Sequence, residues 1–64
     1  MKDEYDYYMM AKDNTLDDKT RIDAVNSLGE MNTKKAKEWL FTLANDGYVK
    51  FDIRQCALDL VRMK

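Results

Sequence analysis

The chain has 64 residues, 45% of them hydrophobic and 36% charged, with a formal net charge of -1. A domain this short buries only about 60% of the surface its unfolded chain exposes, so association with a partner or a second copy is the expected route to stability. The composition is too apolar for a disordered chain and too charged for a membrane protein, and the net charge supplies no general attraction to phosphate backbones.

With no proline and only Gly29 and Gly47 as glycines, helix breakers are few, and apolar residues recur at spacings of three and four throughout. Four helices are predicted. The first covers about Lys2 to Lys12, with Tyr5, Tyr8 and Met9 on one face and Tyr7 with Met10 nearly opposite, so it needs two neighbours. Its residues are acidic and aromatic where an export signal would be basic and then aliphatic. Asn14-Thr15 interrupts the pattern, and Thr15 followed by Asp18 predicts a capping box for the second helix.

The second helix runs to about Met31 and turns Ile22, Val25, Leu28 and Met31, with Ala24 and Gly29, over half its circumference. Asn32-Thr33 is a short link that makes the next helix antiparallel, with Thr33 as its N-cap. The third helix, Lys34 to Asn45, carries Ala36, Trp39, Leu40, Leu43 and Ala44 at i, i+3, i+4, i+7 and i+8. Gly47 is expected to end it in the left-handed conformation. The fourth repeats the spacing with Ile53, Cys56, Ala57, Leu60 and Val61, has Asp52 at its start, and ends basic with Arg62 and Lys64. No stretch approaches the roughly 18 apolar residues of a membrane span.

A shift of 32 residues sets Ala24 on Cys56, Val25 on Ala57, Leu28 on Leu60 and Met31 on Met63. Arg21, Ala24, Leu28 and Gly29, followed by Ala36, Leu40, Leu43 and Asp46 and then by Arg54 and Ala57, resemble the HEAT-like repeats of the short bacterial type, similar to those of phycocyanobilin lyases. The resemblance covers residues 15 to 64 and implies an all-α, four-helix antiparallel stack of α-hairpins, a fragment of an α-α superhelix. It reads as one full helix pair plus the first helix of another, with residues 1 to 14 as a divergent aromatic and acidic helix in the same single domain. It also implies an ion pair between Asp46 and Arg54 across the turn. The second copy departs from the pattern, with Val61 in place of Gly29 and its arginine displaced by one position.

Candidate chemistry is sparse. Without histidine the chain lacks the commonest general base and metal ligand, and one cysteine excludes a zinc cluster. Cys56 lies on an apolar stripe, as a structural thiol does, and its lack of a disulfide partner suits the cytoplasm. Asp13, Asn14, Asp17 and Asp18 lack the glycine and terminal glutamate of a calcium loop and read as turn and capping residues. No catalytic residue, cofactor or metal site is predicted, and an enzyme is not expected.

The function implied is protein binding. Asp3, Glu4 and Asp6, interleaved with tyrosines, either favour a helix dipole or surround a docking surface made by Tyr7 and Met10. Phe41 and Leu58 lie off their helices' stripes and, with Trp39 at a stripe edge, are the candidates for a second interface. A homo-oligomer, most simply a dimer, would cover an open repeat end. By analogy, small helical proteins of this kind are often regulators from bacteria or their phages. The rival readings are a helix-turn-helix protein using Lys34, Lys35 and Lys37 at the start of a recognition helix, and an acidic mimic of nucleic acid, for which a charge of -1 is weak.

Overall fold

The computed structural model describes residues 2–63, which form four helices and no strand: α1 (Glu4–Lys12), α2 (Asp18–Met31), α3 (Lys34–Ala44) and α4 (Phe51–Met63). Lys64, expected at the basic end of α4, lies outside the described residues. The closest packing joins α1 to α2 and α3 to α4, and the second hairpin stacks on the first with α4 against α2 and α3 against α1. Stacked helices run parallel. Thr33 at the start of α3 donates to the Glu4 carboxylate at the start of α1 at 2.9 Å, and Lys50 just before α4 bonds Asp18 at the start of α2 at 2.6 Å. Late in α2, Gly29 lies directly under Leu60 of α4.

The 32-residue shift extends further than the α2/α4 match, because it also carries Lys12, the end of α1, onto Ala44, the end of α3. Under that shift α1 aligns with α3 as α2 does with α4.

Several helix ends differ from expectation, each for a local hydrogen-bonding reason. Helix α1 begins at Glu4 because Asp3 and Asp6 form a reciprocal capping box, the carboxylate of each accepting the other's backbone N–H at 3.0 and 3.2 Å. The N-cap of α2 is Asp17, which accepts from the Thr20 amide at 2.8 Å. Thr15, expected in that role, instead donates its hydroxyl and its amide to Asp13, at 2.6 and 2.9 Å. Thr33 caps α3 as expected, accepting from the Ala36 amide at 3.0 Å.

Neither glycine ends a helix in the left-handed conformation. The left-handed residue is Asn32, at φ 52°, which stops α2. Helix α3 ends without one, because the Asn45 side chain donates to the Phe41 carbonyl at 2.8 Å and Asp46 accepts from the Tyr48 amide at 2.9 Å. Asp46 is thus engaged in its own turn, and the ion pair expected with Arg54 is not formed. The ion pairs among the described residues are Lys50–Asp18 and Lys19–Asp23, both solvent-exposed.

All four helices and the Val49 turn contribute to one core. Leu28, Leu40, Leu43, Ile53 and Val25 are its largest fully buried side chains, and each such burial is worth roughly 1.5–3 kcal/mol relative to exposure. Arg21 is the one buried charged residue among the described residues, and its Nε donates to the Ala11 carbonyl at 2.9 Å, at the negative end of α1.

Candidate functional site

Helix α3 has apolar residues in two directions, and this divides the expected site residues. Trp39 projects toward the first hairpin, where its ring stacks on buried Tyr8 at a centroid distance of 4.2 Å and meets Tyr5 at 5.5 Å. Phe41 and Ala44, three residues apart, project toward the opposite side and adjoin the outer edge of α4. Trp39 therefore belongs to the joint between hairpins. It does not share a surface with Phe41 and Leu58, the residues with which it was grouped by sequence.

The outer α3/α4 face combines exposed large apolar side chains with concave relief. Phe41 is 61% exposed, Phe51 63% and Leu58 37%. Between the two helices lie two hollows, one of about 190 Å³ lined by Lys37, Leu40, Phe41, Leu60 and Val61, the other of about 100 Å³ lined by Ala44, Phe51, Arg54, Gln55 and Leu58. Helix geometry explains the row: residues 51, 54, 58 and 61 of α4 follow at three and four, as do 37, 41 and 44 of α3, so each helix presents a second stripe beside its core stripe.

Electrostatically the face is one-sided. Lys37 and Arg54 border the hollows, and no carboxylate lines either one. The Arg54 guanidinium lies 5.8 Å from the centre of the Phe51 ring, within cation–π range, and its buried Nε has no hydrogen-bond partner. Phe51, Arg54 and Val61 were not singled out by sequence as surface residues. The signal was present as the spacing of Phe51, Leu58 and Val61, but it overlaps the stronger core stripe of Ile53, Ala57 and Leu60.

The acidic N-terminal residues have structural duties. Asp3 and Asp6 cap α1, and Glu4 accepts the hydroxyl that also caps α3. Tyr7 and Met10, the docking pair of one of the two readings, are half-buried against the core, whereas Tyr5 and Met9 on the other face are 51% and 44% exposed. The reason lies in the neighbours: α1 is held by both α2 and α3, so each of its faces is partly covered. A broad hollow of about 490 Å³ at the α1–α2 turn is lined by Met9, Met10 and the polar run from Lys12 to Thr15.

Lys34, Lys35 and Lys37 do not converge on one surface. Lys35 lies 6.0 Å from the Trp39 ring centre on the α1 side, while Lys37 borders a hollow on the α4 side. Cys56 is half-buried with its Sγ 3.6 Å from Asn26 Oδ1, and burial, aided by the Asp59 carboxylate, pushes its thiol above the ordinary range. A protonated thiol between two helices is a packing group. No cluster of three potential metal ligands occurs among the described residues, and no described helix is long and apolar enough to cross a membrane. Comparison of the chain with family models, with curated proteins and with solved structures gives no match.

Proposed function

We propose that this protein is a small helical binding module of HEAT-like repeat type, and that it works by docking another protein on its outer α3/α4 face. One observation carries the reading. Under the 32-residue shift, Met9, Ile22, Asn26 and Gly29 correspond to Phe41, Arg54, Leu58 and Val61. On the first hairpin, Asn26 and Gly29 are positions that receive α4, so the outer face occupies the position at which the fold has already bound a helical layer once. Its exposed Phe41, Phe51 and Leu58 are the kind of clustered large side chains that anchor interfaces. A regulatory role, in which docking alters the partner's activity, is part of this proposal.

The nucleic-acid reading has less support, because its three lysines are spread around α3. The test is affinity capture with the intact protein, comparing the wild type with Phe41→Glu/Leu58→Glu and with Tyr48→Glu as a surface control at a side chain that is 98% exposed. Loss of the captured proteins from the double variant alone supports the reading, provided helical circular dichroism is unchanged. Equal capture by all three forms refutes it.

A further inference from the structure

We infer that the α3/α4 face accepts a single amphipathic helix of a partner protein, one that carries a carboxylate beside its apolar stripe. The inference rests on the docking reading above and names the occupant. Three occupants fit an exposed two-helix face: a second copy placed symmetrically, a further hairpin continuing the stack, or one helix lying along the groove. The surface chemistry separates them.

A symmetric copy would set Lys37 and Arg54 of one protomer near Lys37 and Arg54 of its partner, across hollows that contain no carboxylate. Like charges facing each other in a desolvated interface oppose association. A further hairpin in the same register requires the close approach seen within the molecule, where a Cβ on Gly29 would lie 3.0 Å from Leu60 Cδ1. The corresponding position on the open face is Val61, whose branched side chain occupies that space. Continuing the stack with the same spacing is therefore blocked at its tightest point.

One helix meets neither obstacle. The two hollows sit side by side along the α3/α4 groove, bounded by Phe41 and Val61 at one and by Phe51 and Leu58 at the other. Apolar residues at i, i+3 or i+4, and i+7 of an incoming helix would fill them in succession. Arg54 supplies the specificity, because its half-exposed guanidinium borders the hollow without an ion pair among the described residues, and an acidic residue on the incoming helix provides one. Lys37 provides a second, more exposed cation at the other hollow.

The test is selection of displayed amphipathic helical peptides, randomised both on and beside the stripe, against the full-length protein, followed by fluorescence anisotropy with the selected peptides. The expected result is enrichment of Asp or Glu beside the stripe, binding weakened about tenfold by Arg54→Gln and also reduced by Lys37→Gln, and partial recovery when Arg54→Glu is paired with a lysine in place of the peptide carboxylate. Binding abolished by Phe41→Ala/Leu58→Ala but indifferent to peptide charge overturns the inference while leaving the docking reading intact. So does a dimer in sedimentation experiments that the same double substitution dissociates. Failure to enrich any peptide overturns it as well, and if the capture experiment is then also unaffected by the Glu substitutions, the docking reading falls with it.

Discussion

Arg21 is the residue whose environment least resembles that of a surface charge. Its side chain lies inside the first hairpin at 4% exposure, with Nε bonded to the Ala11 carbonyl and a buried Nη2 that has no partner. Substitution by Ala leaves that carbonyl without its charged donor and opens a gap, a loss of about 2 kcal/mol in urea unfolding. Arg21→Met keeps most of the volume and removes the unpaired buried nitrogen, so its loss is smaller. If Met is as harmful as Ala, the hydrogen bond rather than the packing sets the value of this residue. The sequence singles out Arg21, but not this role. The repeat pattern pairs an arginine with an acidic turn residue, whereas here Arg21 bonds a main-chain carbonyl, Arg54 bonds no carboxylate, and Asp46 serves its own turn. The caps show the same limit: Thr15, Asp17 and Asp18 are all competent N-cap types, and only the Asp13–Thr15 hydrogen bonds remove Thr15 from the competition.

Helices α2 and α4 make the closest contact between the two hairpins, through Gly29 under Leu60. Alanine at 29 gains about 1 kcal/mol of helix propensity but places its Cβ 3.0 Å from a Leu60 methyl. Leu60 borders open hollows on both of its sides, so its methyls can move, and Gly29→Ala is expected to stay within about 1 kcal/mol of the wild type. Gly29→Val adds branches that Leu60 cannot clear together, at a cost of about 1–3 kcal/mol. In a Leu60→Ala background the penalty for Val should largely disappear; a Val penalty that persists there would show that the glycine is needed for backbone reasons instead. Helix content and order were readable because α2, α3 and α4 each keep one dominant stripe of buried residues. The inner and outer sides of α1 were not, because Tyr5, Tyr7, Tyr8, Met9 and Met10 surround it and nothing local ranks them. Contact with α3 decides the matter by drawing Tyr8 under Trp39.

At the scale of the whole molecule, the two hairpins share one core, and neither keeps its buried face covered without the other. Circular dichroism follows the helices, which belong to both hairpins, while Trp39 fluorescence follows the joint between them, since its ring lies against Tyr8 across that joint. The hairpins are expected to separate and unfold together, so urea transitions recorded by the two signals should coincide. A fluorescence change completed at lower urea than the helical signal would mean that the hairpins undock first and persist separately, which would contradict a shared core. Coincidence has a consequence for the open face as well. An incoming helix on α3/α4 contacts Phe41, Phe51 and Leu58 on the second hairpin only, yet a cooperative fold spreads that binding energy over both hairpins, so a bound helix raises the midpoint of both signals equally. A partner that shifted only one of them would have to act on a molecule already divided into two independent hairpins.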